Sequence, residues 1–181
     1  PVTETPANPR PRVLVTGASG FIGGIVVEYL QTNGYDVRAA YRTATSATLR
    51  VSNCVAAPDF SRPFDAAPLV HGMDCVVHLA GLAHSTNAIP DATYMAINAE
   101  APQILASAAQ RAGVKRFVFL SSVRAQTGPS ALGVVTEALP PTPTDAYGRS
   151  KLAGERLITE ALRGTATAPI LLRPVLAYGP G

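Results

Sequence analysis

Three glycines at intervals of three, Gly17, Gly20 and Gly23, stand directly after the apolar run Val13-Leu14-Val15 and open a segment of helical period. A strand that must turn at once into a helix has few ways of doing so, and glycines at this spacing describe one of them. The first permits a tight turn, the second admits a pyrophosphate close to the backbone, and the third lets helix and strand pack closely. The helix that starts there aims its unbonded N–H groups and the positive end of its dipole at the same place. Phe21, Ile22, Ile25, Val26, Tyr29 and Leu30 keep the helical spacing, and Asn33-Gly34 supplies the stop.

The rest of the chain alternates in the same way. Val37 to Tyr41, Cys75 to Leu79, Phe117 to Leu120 and Ile170 to Leu172 are short apolar runs of strand type. Tyr94 to Ala112 carries Ile97, Ala101, Ile104, Leu105 and Ala108 on one helical face and ends at Gly113, while Pro102 within it predicts a break or kink. Ala146 to Leu162 is the last helix, with Leu152, Arg156, Leu157 and Glu160 in an amphipathic pattern. Residues 43–70 show no strong period. Residues 123–145, with Pro129, Pro140, Pro141 and Pro143, form a loop of a length that is usually functional in a compact domain. The expected fold is α/β, a doubly wound (Rossmann-like) parallel sheet in one domain over residues 12–181, after a flexible leader over residues 1–11 with four prolines. At 181 residues and 47% hydrophobic content, one substantial core can be buried.

Composition removes several functions. Charged residues are 15% of the chain, which excludes a disordered polyelectrolyte, and a net charge of +3 with scattered arginines does not make a nucleic-acid footprint. No apolar stretch reaches eighteen residues and the start has no apolar signal region, so neither a membrane span nor a secretory signal is expected. Cys54 and Cys75 read as buried thiols of a reducing compartment, and the expected location is cytoplasmic. His71, His78 and His84 lack ligand spacing beside a soft donor, so no metal site is expected. His78, at a strand end, is expected to pack or to line a cofactor wall.

Tyr147 and Lys151 stand four apart on the last helix and share a face. An ammonium beside a phenol favours the phenolate, which suits the phenol to general acid or base chemistry, and lysine can also bond the ribose of a nicotinamide cofactor. A tyrosine and a lysine at this spacing are common on helix surfaces; the glycine turn elsewhere in the chain is what gives them a chemical reading. Ser121 and Ser122 follow a strand at its carboxyl end, where ligands bind in such sheets, and one hydroxyl there can hold a substrate oxygen.

On these residues the chain resembles the extended short-chain dehydrogenase/reductases, the group of NAD-dependent nucleotide-sugar epimerases, dehydratases and 4-ketosugar reductases. Thr16 to Gly23 is similar to the group's cofactor signature, Asp74 to Gly81 to its Asp-x-Val-x-His-Leu-Ala stretch, and Tyr147 to Lys151 to its catalytic pair. Ser122 precedes Tyr147 by twenty-five positions, as the group's catalytic serine usually does. The resemblance implies Ser122, Tyr147 and Lys151 as catalytic residues. It implies cofactor contacts at Gly17, Ser19, Gly20, Phe21, Ile22, Gly23, Leu79, Ala80, Gly81, Tyr147 and Lys151. Asp59 and Phe60 match a pair that faces adenine, and Asn98 an asparagine bordering the active site. The reaction implied is hydride transfer at C4 of a UDP-hexose or UDP-N-acetylhexosamine with Tyr147 as acid or base, of the kind used in bacterial polysaccharide synthesis. The second strand ends in Ala39-Ala40-Tyr41-Arg42, without the acidic residue of NAD-preferring members. Arg42 suits a 2′-phosphate, which leaves NAD and NADP both open and keeps an NADP-dependent 4-ketosugar reductase beside the epimerase. Specificity in the group comes largely from a C-terminal lobe, for which no residues follow Tyr178-Gly179-Pro180-Gly181 in this sequence. An exposed apolar surface is therefore expected, and a non-catalytic dinucleotide-binding module is the rival reading. The partners expected are a nucleotide-sugar substrate and, in a homodimer, a second copy of the chain.

Overall fold

The computed structural model describes residues 10–42, 51, 53–83, 88–131 and 133–179; leader residues 1–9, His84, Pro180 and Gly181 lie outside them. The first apolar run becomes β1 (Arg12–Thr16), buried from Val13 onward. α1 (Phe21–Thr32) follows the glycine turn and ends where the Asn33 N–H bonds back to the Tyr29 carbonyl and Gly34 takes a φ of +82°. β2 (Asp36–Tyr41), β3 (Asn53–Ala56), α2 (Ala67–Val70) and β4 (Cys75–His78) come next. Then follow α3 (Asp91–Met95), α4 (Ala101–Arg111), β5 (Arg116–Leu120), α5 (Ala146–Leu162) and β6 (Ala168–Leu172). The strands form one sheet in the order β3-β2-β1-β4-β5-β6, every neighbouring pair parallel. This is the doubly wound arrangement. The strand order reverses between β1 and β4, which opens a crevice at their carboxyl ends.

β3 is the strand that the sequence concealed. It has four residues, pairs among the described residues only with β2 and is half-buried, so it carries neither a continuous apolar run nor enough length to show a period. The break expected near Pro102 takes a defined form. Between α3 and α4 the residues Ala96–Glu100 make one π-helical turn, in which the Ala101 N–H reaches the Ala96 carbonyl five positions back. Pro102 has no N–H for the Asn98 carbonyl four residues before it, and the wide turn accommodates that loss. A Cβ on Gly154 of α5 would stand 2.3 Å from that same carbonyl oxygen, so the glycine is what allows α5 to lie against the turn.

One face of the sheet is closed. Leu14, Val76, Phe117 and Phe119 pack there with Leu105 and Ala109 of α4 and Ile158 of α5. On the other face Val13, Val15, Val37 and Ala39 meet Val27 of α1. Following the register along that second face leads to Ile170 and Leu172, which are 38% and 45% exposed. Val175, Leu176 and Tyr178 beyond β6 are exposed as well. Among the described residues no helix is long and apolar enough to cross a membrane, and no group of three metal-ligating side chains occurs.

Candidate active site

The three glycines of the turn meet different neighbours. Gly17 has a φ of +69°, and a Cβ on it would lie 2.6 Å from the Ala80 nitrogen. A Cβ on Gly23 would lie 2.0 Å from the Gly17 carbonyl oxygen, so α1 is pressed onto the turn itself. Gly20 is freer, with its nearest such contact at 3.3 Å, and it caps α1 without a side chain. The approach to the first N–H groups of α1 is therefore left clear, as a pyrophosphate needs.

Two lobes of one cleft meet at this turn and share Gly17, Gly20, Leu79 and Gly81 as walls. The first, about 210 Å³, is bounded by Ser19, Arg42, Asp59, Phe60 and Ala80. Phe60 is buried edge-on against His78, and the exposed Asp59 carboxylate is held below its usual pKa by two hydrogen bonds from Ser61. The second lobe, about 280 Å³, is bounded by Phe21, Ile22, Gly23, Ser121, Tyr147 and Lys151. Residues brought together from the turns after β1 and β4, from α1, from the end of β5 and from α5 thus line one trough. Arg42 stands at one end of it and Tyr147 at the other.

Lys151 is the buried charge of the second lobe. Its Nζ donates to the Leu120 carbonyl at 2.9 Å and lies 4.9 Å from the centre of the Phe119 ring. Burial pushes its pKa down to about 8, while Glu155 pulls in the other direction. Tyr147, half-buried, sets its ring against Tyr94 at 6.4 Å. Ser121 lines the lobe, whereas Ser122 is the N-cap of the short 3₁₀ turn Val123–Ala125, where its Oγ accepts from the Arg124 N–H at 3.2 Å and keeps its own proton to donate. The Asp145 carboxylate caps α5 at the Gly148 N–H, 2.7 Å away, and pairs with Arg124. A Cβ on Gly148 would come within 2.3 Å of the Arg124 carbonyl oxygen, so this glycine lets the helix bearing Tyr147 close onto the turn bearing Ser122.

Asn98 and His78 stand behind the cleft wall. Asn98 is wholly enclosed; its Oδ1 accepts from the Leu82 N–H at 2.8 Å, and its Nδ2 donates to the Leu82 carbonyl and to Ser150 Oγ. It fixes the segment after Gly81. His78 Nδ1 and Thr16 Oγ1 are 2.8 Å apart, and burial pushes the pKa of this imidazole down to about 3, so it packs as a neutral ring between Phe60 and Phe119. Sequence reasoning missed Glu155 and Arg173, which form an ion pair beside Ser121 with the carboxylate buried and the guanidinium half-buried. The signal available was Glu155 one turn beyond Lys151 on the same helical face.

The chain is similar to known proteins. The chain is 30% identical over 178 residues to a UDP-glucose 4-epimerase of Vibrio cholerae, covering 93% of this chain and 52% of that protein. It is 29% identical over 178 residues to a 3-beta-hydroxysteroid dehydrogenase of Mycolicibacterium neoaurum, covering 94% and 48%. The solved structure of MoeE5 in complex with UDP-glucuronic acid and NAD superposes with a TM-score of 0.81 at 34% identity, over 94% of this chain and 56% of that one. The chain thus spans about half the length of the relatives it matches. Residues 13–181 match the family described as NAD dependent epimerase/dehydratase, a stretch that takes in every element lining the trough, so the chain belongs to that family.

Proposed function

We propose that this chain binds NAD or NADP along the trough and supplies the proton relay of a nucleotide-sugar oxidoreductase or epimerase that acts at sugar C4. The observation that carries the reading is the convergence of the glycine turn, Tyr147 and Lys151 on one cleft at the switch point of the sheet. The match to a UDP-glucose 4-epimerase and to MoeE5 with UDP-glucuronic acid and NAD supports the substrate class. A nicotinamide, when bound, supplies hydride acceptance and donation. Tyr147 is the group proposed to take the proton of the C4 hydroxyl and to return it, with Ser122 donating a hydrogen bond to the same oxygen. Lys151 is anchored by Leu120 at the floor of the lobe, where its ammonium can stabilise a phenolate and bond a ribose hydroxyl.

A second reading, reduction of a 4-ketosugar with NADP, is favoured by Arg42. It stands at the edge of the first lobe, proposed for the adenosine, and no acidic residue ends β2.

Calorimetric titration with NAD⁺, NADH and NADPH, on the native chain and on Gly20→Val, tests both readings. Binding that the variant abolishes is expected, and the preferred dinucleotide chooses between them. Absence of binding to all three would overturn the assignment for this chain.

A further inference from the structure

Glu155 lies one turn beyond Lys151 on the buried face of α5, 4% exposed. Its Oε1 accepts from the Ser121 hydroxyl and, at 2.8 Å, from Arg173 Nε; its Oε2 accepts from Arg173 Nη2. Arg173 also donates through Nη1 to Gln126 Oε1, and Gln126 Nε2 donates to the Leu139 carbonyl at 2.6 Å. One carboxylate therefore joins α5, the end of β5, the segment after β6 and the long loop.

Stability alone is a weak reason for burying this carboxylate, because well-packed apolar residues can often replace an ion pair removed from water at little or no cost. Its neighbours suggest another. Ser121 directly follows Leu120, whose carbonyl receives the Lys151 ammonium, and the Ser121 N–H bonds the Leu172 carbonyl at 2.8 Å, one residue before Arg173. We propose that Glu155 is a positioning residue for Lys151: clamped by Arg173, it fixes the Leu120-Ser121 corner that receives the ammonium and links the segment after β6 to the proton relay. The inference rests on the reading of Lys151 as a member of that relay.

Lys151 is faced by Glu155 and Tyr147 on its own helix, by the neutral His78 from β4, by Tyr94 of α3 through Tyr147, and by Arg173 through Glu155. The charges act on it with opposite sign. Glu155→Gln removes an attractive charge and leaves the guanidinium of Arg173 uncompensated, so Lys151 should release its proton at lower pH. Arg173→Gln leaves Glu155 with the ammonium one turn away as its partner, so Lys151 should hold its proton to higher pH.

The chain contains two lysines, Lys115 and Lys151, and Lys115 is exposed, so ¹³Cε-lysine labelling gives one reporter and one internal reference. The Lys151 midpoint is expected to fall by at least about half a pH unit in Glu155→Gln and to rise by a similar amount in Arg173→Gln, with Lys115 unmoved. Both variants moving the Lys151 midpoint the same way, or neither moving it, overturns the proposal. Where those variants do not fold, Ser121→Ala removes only the hydroxyl bridge; a Lys151 resonance unchanged from the native chain then overturns it. Parallel NADH titration separates the two ideas. Native chain that binds no NADH refutes the site reading and leaves the lysine shifts to decide on Glu155, whereas NADH binding with an unmoved Lys151 refutes the role of Glu155 alone.

Discussion

The glycine-turn end and the Tyr147 end of the second lobe are built from different materials. At the glycine-turn end the groups presented are main-chain N–H donors, and side chains are excluded: Gly17 and Gly23 have no room for a Cβ and Gly20 leaves an approach open. At the relay end the working groups are side chains, and each is held by others: Lys151 by Leu120, the segment after Gly81 by Asn98, and Ser121 by Glu155. Backbone sites tolerate almost no added volume but need little support. Side-chain sites tolerate changes of volume better and depend on a second layer of hydrogen bonds. Damage at the first end should thus be abrupt, and damage at the second graded.

The largest effect is expected from Gly23→Val. Its Cβ would sit 2.0 Å from a carbonyl oxygen that cannot move without moving the turn. Loss of dinucleotide binding by at least about 100-fold is expected, with destabilisation at or above the upper end of the roughly 1–3 kcal/mol typical of overpacking. Calorimetry and urea unfolding would measure both, and near-native binding would break the contrast between the two ends.

Lys151→Met should have the opposite effect on stability. An unfolded lysine keeps its proton up to about pH 10.5, whereas the folded one releases it near 8, so stability should rise with pH across that window. The methionine variant should lose the rise and gain up to about 3 kcal/mol at neutral pH, less the lost bond to Leu120, while binding cofactor more weakly. Unfolding curves from pH 7 to 10.5 test this; a native chain whose stability is flat across the window would show that the charge is not strained.

Asn98→Ala should cost about 1–3 kcal/mol through the lost bonds to Leu82 and Ser150. Faster amide exchange at Leu82, with exchange in β1 unchanged, would mark the graded response. Arg42→Ser should be the mildest, changing the ratio of NADPH to NADH affinity by about tenfold without altering stability. An unchanged ratio would remove the argument for NADP.

The same contrast explains what the sequence discloses. A backbone site is written in glycines, which carry their meaning at their own positions, so Gly17, Gly20 and Gly23 were legible before any fold was known. The boundaries of α5 were legible too, because Asp145 caps it and its period is long. Ser121 with Glu155 and Asn98 with Leu82 were not, because their partners come together only through the crossing of α5 over β5 and the π-helical turn. Pro102 signalled an irregularity without giving its kind. β3 was lost because a short edge strand has no pattern of its own.

β6 ends the sheet, and its backbone direction bears on how the chain behaves in a crowd. The Ala168 N–H bonds Lys115 and the Leu172 carbonyl bonds Ser121, so residues 168, 170 and 172 turn their backbone groups inward to β5. By alternation, Pro169 and Leu171 turn theirs outward. Proline has no N–H, so from 168 to 172 the outer edge offers a single donor, at Leu171, to an incoming strand. The exposed Ile170 and Leu172 therefore stand beside a rim that is a poor template for an incoming strand.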